Sequence, residues 1–99
     1  MKVEVLKSDK SGKKLKVVLI YDDGKKKTIH IGQAGADDFT KTGSEEQKKR
    51  YITRHKKNED WTKSGIRTAG FWAKHLLWNK KTLKQSITDT ENQFNLDIN

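Results

Sequence analysis

Between Ile66 and Trp78 the apolar residues Ile66, Ala69, Phe71, Trp72, Ala73, Leu76, Leu77 and Trp78 go nearly all the way round a helical wheel, and only Lys74 interrupts them strongly. A helix that is apolar on every side has to be buried, so the rest of the chain must cover it. With 99 residues the chain makes one domain around one modest core. Gly70 within this helix costs about 1 kcal/mol relative to Ala and leaves room for a neighbouring backbone to approach. Only 31% of residues are apolar and 35% are charged, a balance that borders on disorder. Three Trp, three Phe and two Tyr argue against disorder, because large rings supply most of a small core's buried area. They concentrate between Tyr51 and Trp78, which marks the centre of the core.

The elements around this helix follow from period and punctuation. Val3 and Val5 alternate with Lys2 and Glu4, and after the polar break Ser8-Asp9-Lys10-Ser11-Gly12 a second alternation runs from Leu15 to Tyr21. Asp22-Asp23-Gly24 signals a hairpin turn, and Ile29 and Ile31 share one face of a third strand over Thr28 to Gly32. Residues 1–32 therefore read as a three-stranded antiparallel meander. Val18 and Ile20 make the middle strand apolar on its far face as well, which calls for a cover. Residues 33–43 read as a loop pinned by Phe39. Within residues 44–95 three helices are predicted. Ser44 with Gln47 and Thr82 with Gln85 fit capping boxes, and Leu83, Ile87, Thr90 and Phe94 form one stripe. On the first of these helices Tyr51, Ile52 and His55 share a narrow face, opposite Lys49, Arg50, Arg54, Lys56 and Lys57. Residues 96–99 are a tail that either adds a short strand or frays. The fold class is α+β: an N-terminal three-stranded antiparallel meander packed with a C-terminal three-helix unit.

Charge is the main functional signal. Lys and Arg number 22 against 13 Asp and Glu, for a net charge of +9. From Lys48 to Lys84 there are twelve cations and only the acids Glu59 and Asp60, a local excess of ten. Such a potential attracts polyanions, and basic residues gain affinity for phosphate by releasing counterions. The expected contacts are Lys48, Lys49, Arg50, Arg54, Lys56 and Lys57, flanked by Lys25, Lys26, Lys27 and Arg67. Trp61, in a polar stretch, is the ring expected to be exposed for stacking on bases. Lys13-Lys14 and Lys25-Lys26-Lys27 near hairpin ends fit phosphate contacts and fit equally a solvated edge that resists aggregation.

Other chemistries find little support. Without Cys, disulfides, thiolate metal sites and Cys nucleophiles are excluded. His30, His55 and His75 show no metal-ligand spacing, and no Gly-x-x-x-x-Gly-Lys-Ser/Thr loop is present. No cofactor, metal or small-molecule substrate is expected. The start of the chain lacks the apolar run of a signal peptide and no stretch approaches a bilayer span, so an intracellular protein is expected.

The stretches Lys27-Thr28-Ile29-His30-Ile31-Gly32, Arg50-Tyr51-Ile52-Thr53-Arg54-His55-Lys56-Lys57-Asn58-Glu59, and Thr68-Ala69-Gly70-Phe71-Trp72 through Leu76-Leu77-Trp78-Asn79 resemble a family of small basic proteins of large nucleocytoplasmic DNA viruses of amoebae and algae. The resemblance covers roughly residues 25–94, with Gln33 and the paired Asp37-Asp38 departing from its pattern. It implies a viral protein of the virion or viral factory and supplies no catalytic residues. The expected function is non-enzymatic binding of nucleic acid, DNA in preference to RNA, with little sequence preference. A structural virion protein that assembles with other proteins or with itself is the second reading. A small nuclease using His30 or His55 with an acid is the third.

Overall fold

The structure, a computed structural model, describes all residues 1–99. Strands β1 (Lys2–Lys7), β2 (Lys13–Ile20) and β3 (Lys26–Gln33) form the antiparallel meander, with Val3 opposite Leu19 and Val17 opposite Ile29. The β2–β3 turn closes through the Tyr21 and Lys25 backbones, and Gly24 takes φ 85°, a conformation that costs a residue with a Cβ. Period two sends Val3, Val17, Leu19, Ile29 and Ile31 to one face, where they join the core cluster. The tail is a fourth strand rather than a frayed end. β4 (Asp97–Ile98) runs parallel to β1, giving the order β3-β2-β1-β4. On the far face of the sheet Val18 and Ile20 join no apolar cluster, although Val18 is buried among its neighbours, and Leu6 on the same face is 46% exposed. The cover expected there is not supplied by the helices.

The segment read as a plain loop holds a short helix, α1 (Phe39–Thr42). Asp38 caps it, accepting from Thr40 N at 2.8 Å and Lys41 N at 3.2 Å. Its other oxygen takes the Lys14 ammonium at 2.5 Å, and Lys14 also donates to the Ala36 carbonyl. Asp38 is only 3% exposed. Burial alone would raise its pKa, but the hydrogen bonds from Lys14 and Thr40 and the Lys14 charge outweigh it and hold the carboxyl below its ordinary value. Phe39 is buried beside it.

Helix α2 (Glu45–His55) starts where the capping signal places it, with Ser44 Oγ accepting from Gln47 N. The box closes only halfway, because the Gln47 side chain turns to Thr42 Oγ1 instead. The central helix begins later than the apolar run suggests. Ile66 lies in the turn before it, and its carbonyl accepts from Trp72 Nε1 at 2.7 Å. The helix is α3 (Ala69–Trp72), capped by Thr68, and it continues as a π-helical turn over Ala73–Leu77. Phe71, Trp72, His75, Leu76 and Leu77 are all buried there. Helix α4 (Leu83–Phe94), capped by Thr82, packs Leu83, Ile87 and Phe94 against the cluster and buries Thr90 and Ser86.

His75 is 1% exposed, against Phe71 and Phe94. Its Nε2 meets the Trp61 carbonyl at 2.9 Å, so Nε2 carries the hydrogen and the ring is neutral. Burial lowers its pKa, and the neighbouring Lys74 charge lowers it further, against the opposing effects of the Trp61 hydrogen bond and Asp89.

Two stability predictions follow from these buried groups. Asp38→Ala removes the α1 cap and leaves Lys14 unpaired, and is expected to cost about 2–4 kcal/mol by urea unfolding, with Asp38→Asn costing less because it keeps a capping oxygen. Because the folded carboxyl sits below 3.8, its contribution is complete above that pH and is lost on acidification below it. An unchanged Asp38→Ala midpoint would show that the pair adds no stability. For His75, both folded and unfolded rings are neutral above its ordinary value of 6.5. Below it the unfolded chain takes a proton that the folded chain resists, so stability falls as pH falls. The melting temperature of His75→Gln should therefore drop less between pH 7 and 5 than that of the wild type, and parallel curves would assign the loss elsewhere.

Candidate nucleic-acid interface

Helix α2 is anchored by Tyr51, its one buried residue. Ile52 and His55 beside it are half-buried, so the opposite side faces solvent. Glu45 and Glu46 occupy its first turn and Arg54 and His55 its last, each matching the helix dipole. On the open side stand Lys49, Arg50, Arg54, Lys56 and Lys57, all exposed. Only Arg50 has a carboxylate in reach, Glu46 at 3.6 Å, and an exposed pair of this kind holds its cation loosely. Lys49, Arg50 and Arg54 border one shallow cleft together.

Lys48 does not belong to this row. Its ammonium donates to the Asn79 carbonyl at 2.6 Å and lies 4.8 Å from the Phe39 ring centre. It ties α2 to α1 and to the segment before α4.

The flanking cations form a separate group. Lys25, Lys26 and Lys27 are exposed at the β2–β3 turn, with Lys25 3.9 Å from Asp23. Arg67 stacks over Tyr21 at the same turn, 5.1 Å from its ring centre. Lys13, opposite Gln33, lies at the other end of this ladder, beside α2. Seven residues separate the ends of β2, roughly 23 Å at the rise of an extended strand. The structure thus brings Arg67 to Lys25–Lys27 but not to α2.

Trp61 is not the open ring that its polar neighbours suggest. Asp60 accepts from Thr62 N and from the hydroxyls of Thr62 and Ser64, and these hydrogen bonds lower its pKa. The tight turn they make folds Trp61 inward, where its carbonyl meets His75. The ring is half-buried, its indole N–H is enclosed without a partner, and the Lys74 ammonium sits 5.7 Å from its centre. Burial, and then the charge of Lys48, lowers the pKa of Lys74.

A cleft of about 400 Å³ opens beside α2, between the Lys13–Gln33 end of the sheet, the 36–38 segment and the central helix. Trp78 lines it and is half-buried. Its ring stacks on Tyr51 at 4.6 Å with 8° between planes, and His55 stacks on Tyr51 at 4.3 Å. Burial and then the Glu59 charge raise the Tyr51 pKa, so the phenol stays neutral. Trp78 also lines a second cleft with Arg50 and Arg54, and Trp61 lines neither. Glu59 enters the wall of the first cleft with Oε2 3.2 Å from His55 Nδ1, yet that oxygen has no aligned hydrogen-bond partner. Gly70 makes room for it. A Cβ there would lie 2.2 Å from Glu59 Oε1, so a side chain, not a backbone, makes the close approach.

Of the two histidines considered for catalysis, His55 faces this carboxylate. His30 alternates with the core residues Ile29 and Ile31, so its ring lies on the far face of the sheet, where it shares a hydrogen bond with Ser8 Oγ at 2.8 Å. No three His, Asp or Glu side chains gather closely enough to hold a metal ion. The His55–Glu59 pairing was visible in the sequence as an i, i+4 spacing. The exposure of Trp78 on the basic side was not, because it depends on where the chain turns after the π-helical segment.

No helix is long and apolar enough to cross a membrane. Neither a curated protein nor a solved structure matches the chain. One family model does, over residues 3–55. That span takes in nearly all of β1, then β2, β3, α1 and α2, and with them Lys14, Asp38, Tyr51, Lys49, Arg50 and Arg54, but not Lys56 and Lys57. The chain therefore belongs to DUF5754, a family of unknown function.

Proposed function

We propose that this protein binds nucleic acid without catalysis, through phosphate contacts with little sequence preference. The observation that carries the reading is the open group of cations on α2 and just beyond it: Lys49, Arg50 and Arg54 on the helix and Lys56 and Lys57 in the turn that follows stand in solvent, and among them only Arg50 is near an acid. Cations that serve the fold, such as Lys14 and Lys48, are half-buried on specific acceptors. The open group has no such task, and five exposed cations along a helix and its following turn suit a sugar–phosphate backbone. Arg can grip phosphate as a fork and Lys as a point charge. The second group, Lys25 to Lys27 with Arg67, lies far enough away to touch a different stretch of the same polymer. The resemblance to small basic proteins of giant DNA viruses extends the proposal to coating or packaging viral DNA in the virion or viral factory.

The reading predicts a log–log slope of affinity against salt of about −4.5 on duplex DNA if the five open cations of α2 and the turn after it each neutralise one phosphate. Replacing Lys49 and Arg54 with Ala should make that slope shallower by about 2 and weaken every sequence alike. An affinity that does not change with salt rules the proposal out. A second reading, assembly with other virion proteins or with itself, is favoured by the far sheet face with Leu6 open. Sedimentation equilibrium without nucleic acid distinguishes it by a mass that grows with concentration.

A further inference from the structure

We infer that the cleft beside α2 receives an unpaired base of the bound strand, so that the protein prefers single-stranded to duplex nucleic acid. This rests on the nucleic-acid reading above and names the form of polymer that the same face takes.

Two features of the cleft point to a base and not to a phosphate alone. The first is its ring system. Trp78 lines the cleft and is stacked on Tyr51, which is stacked on His55. A ring held by stacking is already oriented and loses little freedom when a flat ligand lies against it. Every base has a face suited to such a contact. The second is the distribution of charge. Arg54 and Lys13 are exposed and line the cleft, whereas Glu59 sits in its wall and exposed Asp37 lines it from the 36–38 segment, where the Asp38 carboxylate is already neutralised by Lys14. Carboxylates repel a phosphate that tries to enter, while exposed cations hold one outside. The stable arrangement places the phosphates with Arg54 and Lys13 and sends the base inward.

The size agrees. About 400 Å³ lies within the roughly 300–1,000 Å³ of small-ligand pockets, and the cleft meets the cations of α2 at Arg54, so a strand held by α2 can reach it. A duplex keeps its bases stacked on one another and presents only phosphates to α2.

The test uses the full chain with a fluorescein-labelled 12-nucleotide single strand and its duplex, followed by anisotropy at low and moderate salt. The single strand is expected to bind about tenfold more tightly, the effect of one well-stacked base. Trp78→Ala should weaken the single strand about tenfold more than the duplex and so remove that advantage, and Trp78→Phe should keep most of it. In parallel, a strand carrying 2-aminopurine reports stacking on the unaltered protein, and its fluorescence should be quenched on binding. That readout decides the matter even where Trp78→Ala does not fold. Equal, salt-dependent binding of both probes with no quenching overturns the base cleft and leaves the phosphate-binding proposal standing. Binding of neither probe overturns both.

Discussion

The contact between Lys14 and Asp38 positions everything that lies beyond the sheet. Lys14 belongs to β2 and gathers the chain that leaves β3 by its bonds to the Ala36 carbonyl and the Asp38 carboxylate. Asp38 then caps α1, and α1 sets Phe39 into the interior. Gly43 ends α1 in a left-handed conformation one residue before Ser44 caps α2. Lys48 returns from α2 to the Phe39 ring. A buried carboxylate is costly unless its oxygens are satisfied, and here one oxygen has the ammonium while the other has the backbone and hydroxyl of Thr40. The direction of α2, and with it the row of cations, is inherited from this junction.

The cations divide into two populations. Lys14, Lys16, Lys48 and Lys74 are half-buried and lie against carbonyls, carboxylates or rings, their aliphatic stems filling space beside apolar neighbours. The others stand in solvent. Arg50 and Arg54 are one turn apart on α2, a like-charge spacing that destabilises an isolated helix by a few tenths of a kcal/mol. The capped start of α2, its acidic first turn and the stacked Tyr51 offset that repulsion. The helix therefore tolerates a charge pattern that its own stability disfavours, as the proposed phosphate contacts require.

Much of this was legible in the residues. Alternation located the three strands, since one face of each had to be apolar. Ser44 and Thr82 marked helix starts because a hydroxyl there satisfies an otherwise free backbone N–H. The all-round apolar run identified the buried helix. The misses share a cause: each depends on partners distant in sequence. Asp38 looked like one of two loop acids, and only Lys14, twenty-four residues earlier, makes it a buried cap. The polar neighbours of Trp61 predict an exposed ring, but a turn closed by Asp60 folds it inward. Lys48 looked like one more surface cation until Asn79 and Phe39 came to meet it. Gly70 suggested a crossing backbone, and the occupant is the Glu59 carboxylate. Helical periodicity says which way a residue points but not what stands opposite.

β4 joins Asp97 to Lys2 and Ile98 to Val3, and Asn99 exchanges backbone hydrogen bonds with Val3 and Val5. The pairings within the meander close over short hairpins, whereas this one closes over nearly the whole length of the chain, and long closures form late. During synthesis the outer edge of β1 therefore waits, with its hydrogen-bonding groups unmatched, until every helix has been made and docked. Such an open edge can recruit the equivalent strand of a neighbouring molecule. The lysines at both ends of β1 suit that interval, keeping nascent copies apart by mutual repulsion until each edge is closed by its own last strand.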